Sequence, residues 1–259
     1  MLKKSLIVTI LSFAASSWAL DLSNPSSPVL PQEGLFIPQD FFLGVHLEYQ
    51  AQKVFDKSLH ASSPFIRKAL SFEEEIQMGL LSFTLAHQFE VYVGLGANRI
   101  QLATEITDLI IHEYSTGNKF RWEVGAKGQI FSYDKGALAL DLKYACTHPT
   151  IQAYTINGAL DPHHLKMKYD EWQLGLAGSY TFDFFTPYLG VRYSHPTIKI
   201  RRFTSGILPD SRKAYKIDGQ KKFGLSVGVT MAALKGFALN LEFNAIDENA
   251  VSLTAFLSF

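Results

Sequence analysis

AVSLTAFLSF, residues 250–259, alternates between apolar and mostly polar side chains. One side of the stretch is wholly apolar: Val251, Leu253, Ala255, Leu257 and Phe259. A period of two residues is that of a β-strand, because successive side chains of a strand point to opposite faces of its sheet. The stretch therefore predicts a strand with one apolar face, and something apolar must cover that face.

The same two-residue period recurs along the chain in about ten segments, each close to the 9–11 residues that a tilted strand needs to cross a membrane. These segments lie near 41–55, 72–86, 89–101, 118–132, 137–148, 168–182, 185–197, 220–232, 236–245 and 249–259. The connections between them alternate between very short turns and long loops, the latter near 56–71, 102–117, 149–167 and 198–219. Only the short connection at 246–248 breaks this alternation. Short turns at one end and long loops at the other are typical of outer-membrane barrels.

Alternation of this kind also occurs in a soluble β-sandwich or a lipocalin-like barrel. In a soluble barrel the apolar side chains point inward and the outer face carries most of the charge. Here one face is almost wholly Leu, Val, Phe, Trp and Tyr, whereas the other mixes single charges with Gly, Ala, Ser and Thr. In water the apolar face would need a core covering about ten strands, whereas lipid requires no such partner. The pattern favours a membrane barrel.

Aromatic residues cluster at the strand ends next to the short turns, where a girdle at the lipid–water interface is expected. They are Phe41, Phe42, Phe89, Phe131, Tyr133, Phe182, Phe184, Phe185, Phe237 and Phe259. We therefore predict an all-β protein, a transmembrane antiparallel β-barrel of about ten strands with the short turns in the periplasm.

The start of the chain has the features of an export signal. Two lysines precede the apolar run SLIVTILSFAASSWA, which is too short to span a bilayer comfortably and ends on small residues. We expect residues 1–19 to be a cleaved signal peptide, 20–40 a Pro- and Ser-rich periplasmic leader, and 41–259 the outer-membrane barrel. An uncleaved membrane anchor is the alternative for the first segment.

Composition narrows the function classes. The formal net charge is zero and 13% of the 259 residues are aromatic, which fits neither a disordered tail nor a nucleic-acid-binding protein. After residue 19 no apolar run reaches the about 18 residues of a membrane helix. Cys146 is the single cysteine, which excludes an internal disulfide; it is expected to be buried on a strand face or to cross-link to another chain.

Several segments resemble one known family. EWQLGLAGSYTFDFFTPYLGVRYSHPTIKI, residues 171–200, is similar to a Trp, Ser-Tyr and Thr-Pro-Tyr-x-Gly-Val segment of the chlamydial major outer membrane protein family. GLSVGVT and LEFNAIDENAVSLTAFLSF resemble the closing strands of that family, and FRWEVGAKGQIF, GALALDLKYA and NPSSPVL resemble other stretches. The resemblance is specific in Thr186–Val191 and Ile246–Phe259 and covers much of residues 118–259.

This resemblance implies a Gram-negative outer-membrane β-barrel that acts as a general diffusion porin, trimeric, cysteine-rich and exposed at the surface. The chain departs from the family in being much shorter and in having one cysteine. The single cysteine puts disulfide cross-linking in doubt. The missing length puts the wide pore and the trimer in doubt, because barrel diameter grows with strand number.

Charged residues on the polar face are candidates for the lining of a pore: Arg121, Glu123, Lys127, Asp141, Lys143, Arg192 and Glu242. Lys127, Asp141 and Lys143 lie on the facing arms of one hairpin, where they either line a pore or pair with each other. Ten strands is near the closed end of the size range, since eight are filled by side chains and 16–18 leave a channel. The many glycines of the polar face either leave a narrow wet passage or serve only curvature and packing.

A basic loop follows the seventh predicted strand. Its cations include Lys199, Arg201, Arg202, Arg212, Lys213 and Lys216. Facing outward, such a loop can bind lipopolysaccharide phosphates or host polyanions. A solvated loop without a partner is the alternative.

Features of an enzyme are sparse. Asp161-Pro162-His163-His164 is the one His-Asp cluster. Ten-stranded outer-membrane proteases place Asp and His residues at the barrel rim, but the cluster is equally compatible with a turn or a weak metal contact. We predict no enzyme, no cofactor and no metal site.

The function predicted from these features is a porin-like passive diffusion channel for small solutes in the outer membrane of a Gram-negative bacterium. The alternative is a non-conducting, surface-exposed barrel with an adhesin or structural envelope role. Outer-membrane lipid, lipopolysaccharide and the barrel assembly machinery are the expected partners, with a homo-oligomer also possible. Phe259 resembles the terminal aromatic that serves barrels as an assembly signal.

Overall fold

The strands of the protein form one sheet. The structure, a computed structural model, describes residues 43–62, 66–85, 89–161, 165–202, 215–234 and 237–258. The strands, numbered in chain order, are β1 (Leu43–Lys57), β2 (Leu59–Ala61), β3 (Lys68–Leu85), β4 (Phe89–Thr107), β5 (Ile110–Thr116), β6 (Lys119–Tyr133), β7 (Gly136–Thr147), β8 (Ile151–Ile156), β9 (Ala159–Leu160), β10 (Leu165–Tyr180), β11 (Phe185–Arg202), β12 (Tyr215–Gly219), β13 (Phe223–Leu234), β14 (Phe237–Ala245) and β15 (Glu248–Ser258). Within these ranges no helix is long and apolar enough to span a bilayer.

Ten of the strands close into an antiparallel barrel. Its order is β1, β3, β4, β6, β7, β10, β11, β13, β14 and β15, and β1 closes the ring by pairing with both β3 and β15. The predicted transmembrane barrel of about ten strands is confirmed. The signal peptide, the leader, the first two aromatics of the predicted girdle and Phe259 lie outside the described residues.

The long connections carry short strands that extend the wall of the barrel. β5 pairs with β4 and β8, and β12 pairs with β11 and β2. β11 itself runs to Arg202, past the end at residue 197 that the sequence predicted. Its continuation keeps the two-residue period, with Ile198 and Ile200 buried inside, so Lys199 and Arg201 belong to a strand and not to a loop.

Two belts of aromatic side chains bound the apolar outer wall. The lower belt, next to the tight turns, is the predicted one and includes the exposed rings of Phe89, Phe131, Tyr133, Phe182 and Phe184. The upper belt was not predicted: Trp122, Tyr144, Trp172, Tyr193 and Phe223. On β10, Trp172 of the upper belt and the exposed Tyr180 next to the tight turn are eight residues apart. That is about 27 Å along the strand, or about 20 Å along the membrane normal at a tilt near 40°.

The polarity of the wall inverts beyond the upper belt. Between the belts, in the membrane section, Leu176 of β10 points outward and Gln173 points inward. Beyond the upper belt, in the external section, Lys168 points outward and Met167 points inward. The strand remains regular, so the change reflects the medium outside the wall, which passes from lipid to water.

Candidate functional site

The interior of the membrane section is the candidate functional site. All seven charged residues proposed for the pore lining point into it, and each is between 0% and 7% exposed. Whether they line a conducting path remains a proposal. The structure adds further buried charges that the sequence did not predict for the lining: Lys57, Glu74, Glu90, Glu171, Asp247 and Glu248. Most occupy inward positions of their strands, so the two-residue period is the signal that would have found them.

Lys57 is the centre of the interior network. Its Nζ lies 2.6 Å from Glu171 Oε1 and 2.9 Å from Glu248 Oε2. It also donates a hydrogen bond of 2.9 Å to the hydroxyl of Tyr169, which in turn donates one of 2.5 Å to Glu171 Oε2. One cation therefore holds carboxylates from β10 and β15 next to the end of β1.

Arg192 extends this network across the barrel. Its guanidinium donates to both carboxylate oxygens of Asp247, at 2.7 and 3.1 Å. The same Nη2 lies 2.9 Å from Glu248 Oε1, and Ser194 donates to Asp247 Oδ2 at 2.9 Å. The short β14–β15 connection, which broke the alternation of turn lengths, thus points its aspartate into the barrel.

Arg121 and Glu74 form a second buried pair. Arg121 Nη1 lies 2.7 Å from Glu74 Oε1, and Asn98 donates to the same oxygen at 2.8 Å. Thr147 donates to the amide oxygen of Asn98 at 3.0 Å. Arg121 also lies 5.8 Å from the ring centroid of Tyr169, so this pair adjoins the Lys57 network.

Nearer the tight turns, tyrosines link the charges. Lys127 lies directly opposite both Glu90 on β4 and Asp141 on β7, and its Nζ is 3.5 Å from Glu90 Oε1. Asp141 accepts a hydrogen bond of 3.2 Å from Tyr92. Tyr188 makes the same kind of link: its hydroxyl donates a hydrogen bond of 2.6 Å to Glu242 Oε2.

These tyrosines cover glycines on the neighbouring strands. Tyr92 is directly opposite Gly125, and a Cβ there would lie 2.2 Å from its ring. Tyr188 is likewise opposite Gly228, at 2.3 Å. The space beside both glycines is therefore filled by a ring, which favours the packing interpretation of these positions over an open passage.

On β1, β13, β14 and β15 most of the buried inward side chains are uncharged and polar, with Glu48, Lys57, Glu242 and Glu248 as the charged exceptions. Four of their atoms are buried without a hydrogen-bond partner in the described part of the chain: Gln50 Oε1, Asn244 Nδ2, Ser252 Oγ and Thr254 Oγ1. A buried polar group is normally satisfied by protein or by water, because leaving it unpaired costs about 1–3 kcal/mol. Atoms this deeply buried have no contact with solvent in the structure, so water reaches them only if the neighbouring side chains move apart.

An apolar plug fills the external section. Inward residues of the long strands pack there with residues of the long connections. The plug includes Val54, Leu59, Ile66, Phe72, Ile100, Leu102, Tyr114, Ile151, Tyr154, Leu165, Met167, Tyr169, Ile198, Ile200 and Ile217. Sequence reasoning missed the plug because it treated these connections as solvated loops.

The charges of the interior do not balance. Among the described residues, nine carboxylates and five lysines and arginines are buried inside the barrel. The carboxylates are Glu48, Glu74, Glu90, Glu123, Asp141, Glu171, Glu242, Asp247 and Glu248; the basic residues are Lys57, Arg121, Lys127, Lys143 and Arg192. The field inside the barrel is therefore negative on average.

The remaining predicted positions are placed as follows. Lys199, Arg201 and Lys216 lie on the outer wall of the external section. Arg212, Lys213, His163 and His164 lie outside the described residues, as does the side chain of Arg202. Cys146 is a free, buried thiol. No group of three or more potential metal ligands occurs in the part of the chain that the structure describes.

Comparison with known proteins adds a family to this geometry. The profile of the Chlamydia major outer membrane protein family matches residues 153–207, which include Thr186–Val191. A major outer membrane porin of Chlamydia psittaci is 25% identical over 219 aligned positions, covering 60% of this chain and 56% of the relative. One from Chlamydia muridarum is 22% identical over 315 aligned positions, covering 93% of this chain and 76% of the relative.

The chain is similar to the chlamydial major outer membrane proteins. The resemblance found in the sequence is confirmed, and the barrel is an outer-membrane protein. The chain spans a little over half the length of the Chlamydia psittaci relative, at 56%. Among solved structures, the outer membrane protease OmpT of Escherichia coli overlaps 87% of this chain and 97% of its own, with 11% identity and a TM-score of 0.42. That overlap is too loose to carry a functional conclusion.

Proposed function

We propose that this barrel is a porin-like passive diffusion channel for small solutes and that it prefers cations to anions. The observation that carries the proposal is that, among the described residues, nine carboxylates but only five lysines and arginines are buried inside the barrel. Uncompensated charge is costly to bury. Mobile cations and water in the lumen provide the missing compensation, and the relatives named porins support the same function.

Buried polar atoms on β1 and β15 that lack a partner in the described part of the chain support a path that can be hydrated. Ser252 and Thr254 follow each other on β15, with Gln50 opposite Thr254 on β1. Their buried polar atoms have no hydrogen-bond partner among the described residues, so water is the partner expected on physical grounds. These atoms are closed to water in the structure, so passage of water and small solutes along these strands requires their side chains to move apart.

The selectivity can be measured on the folded, purified protein in planar bilayers with a KCl gradient. We expect small current steps and a reversal potential displaced toward that of K⁺, because the lumen is negative on average. Glu242→Gln keeps the hydrogen-bonding shape next to Tyr188 but removes one interior charge, so it should weaken the cation preference. Glu75→Gln removes an equal charge from the outer wall and should leave the reversal potential unchanged. Anion preference, or equal effects of the two variants, would contradict the proposal.

The apolar plug favours a second candidate function, a non-conducting barrel whose external section serves adhesion or envelope structure. Among the described residues, the plug packs sixteen buried side chains, Ala250 included, into the loop end of the barrel. Complete electrical silence of protein that still shows the gel-mobility shift of a folded barrel on heating would support this second function.

The remaining functional expectations are also proposals. No catalytic activity and no cofactor are proposed, which the naming of the relatives as porins supports. Recognition of Phe259 by the assembly machinery and formation of a homo-oligomer remain predictions from the sequence.

A further inference from the structure

The outer wall of the external section carries a cluster of cations on three adjacent strands. This basic wall consists of Lys166, Lys168, Lys199, Arg201 and Lys216. The register sets Lys166 opposite Arg201, Lys168 opposite Lys199, and Lys199 opposite Lys216. Side chains directly opposite each other have Cβ atoms about 4.5–5.5 Å apart, and like charges in such pairs are destabilising. Three such pairs in succession indicate a surface that an anion would stabilise.

Nearby carboxylates offset only part of this charge. Asp170 lies 2.9 Å from Lys168, and Asp218 lies 2.8 Å from Lys216. Burial would raise the pKa of Asp218, but hydrogen bonds from Lys216, Ser62 and Thr197 outweigh it, so its pKa lies below the usual value and it stays ionised. Within the described ranges no carboxylate forms an ion pair with Lys199 or Arg201.

The height of the basic wall matches that of lipid headgroups. Lys168 lies four residues beyond Trp172 of the upper belt. That separation is about 13 Å along the strand and about 10 Å along the membrane normal. The interfacial layer of a bilayer begins at such a belt and extends outward by several ångströms.

Below the basic wall, the same strands present an apolar surface. Leu174 and Leu176 of β10 and Val191 of β11 are exposed there. A ligand that combines phosphates above with acyl chains below would therefore contact both parts of one continuous wall. Three strands spaced about 4.8 Å apart give the basic wall a width of about 10 Å, enough to contact more than one phosphate.

We propose that the basic wall binds the phosphates of lipid A, the phosphorylated glycolipid of the outer leaflet. Lysine and arginine would donate charge-assisted hydrogen bonds to the phosphate oxygens while the acyl chains lie against the outer wall. The site lies on the outside of the barrel and does not depend on conduction through the lumen.

The test compares lipid A binding by folded protein in detergent, measured by native mass spectrometry and by titration. The double variant Lys199→Glu/Arg201→Glu should bind diphosphoryl lipid A at least about tenfold more weakly, since each basic residue near an anionic surface contributes about a factor of five. Lys68→Glu/Arg99→Glu changes the same charge on the outer wall of β3 and β4 and should bind like the unaltered protein. The heat-dependent gel shift reports whether the charge-reversal variant folds. If it does not, the neutral variant Lys199→Gln/Arg201→Gln replaces it and should also bind diphosphoryl lipid A more weakly than the unaltered protein.

Two further measurements distinguish lipid A from free phosphate as the ligand of the basic wall. A lipid A analogue without phosphates should bind weakly to the unaltered protein, and inorganic phosphate should not displace diphosphoryl lipid A. Equal binding of the phosphate-free analogue would overturn the proposal. So would unchanged binding by the β11 variants, or displacement by inorganic phosphate, which would identify a site for the free ion.

Discussion

Replacing Lys57 with methionine is expected to lower the free energy of unfolding of the barrel by about 3–5 kcal/mol. The Nζ of Lys57 contacts Glu171 and Glu248, and its side chain is 2% exposed. Methionine keeps most of the volume but leaves both carboxylates without this cation. The measurement is equilibrium unfolding in urea, in detergent or vesicles, followed by tryptophan fluorescence.

Lys53 provides the matched control on the same strand. Its Nζ lies 2.8 Å from Glu75 Oε1, but the Glu75 side chain is 49% exposed. Exposed pairs typically contribute less than about 1 kcal/mol, so Lys53→Met should change the unfolding free energy little. Adding Glu171→Gln to Lys57→Met should recover part of the loss, because it removes one unpaired charge. Equal, small effects at positions 53 and 57 would contradict the burial of the Lys57 ion pairs that the structure shows.

Replacing Leu176 with arginine is expected to impair insertion and folding of the barrel by about 2–4 kcal/mol. Leu176 points outward from β10 and lies midway between Trp172 of the upper belt and Tyr180 near the tight turn. An arginine there would have to leave water for hydrocarbon or distort the lipid around it. The measurement is the folding equilibrium in vesicles, together with the amount of folded protein in outer membranes.

Leu176→Ala separates the loss of the leucine from the gain of a charge. Alanine should cost much less than arginine, because the lipid adapts to the smaller side chain. In a soluble barrel an arginine at this exposed position would be harmless and would aid solubility. Arginine tolerated as well as alanine would therefore argue against lipid contact at this face.

The number and order of the long strands could be predicted from the sequence because each strand carries its own two-residue period. The inward direction of Lys127, Asp141 and Glu242 followed from the same period. The ion-pair and hydrogen-bond partners of these residues could not be predicted from that period, because pairing depends on the registers between distant strands. Lys57 and Glu171 are 114 residues apart, and no local pattern connects them.

The external section was missed for a different physical reason. Along β10, Leu165-Lys166-Met167-Lys168-Tyr169 has the same period as the membrane section but the opposite assignment of polar and apolar faces. Read with a single polarity, such segments look like loops with scattered charges. When the inward face is allowed to be polar in one section and apolar in the next, these segments mark where the wall leaves the membrane. They then predict both the apolar plug and the basic wall.

The inversion of polarity on the outer wall is tested most directly by quenching with lipids brominated in their acyl chains. A fluorophore would be attached to single cysteines at Leu176, Val227 and Lys199 in a Cys146→Ser background, with the barrel folded into vesicles. We expect strong quenching at Leu176 and Val227 and little at Lys199. The result that would contradict lipid contact at the outer wall is the absence of quenching by brominated lipid at all three positions, with equal quenching of all three by a water-soluble quencher.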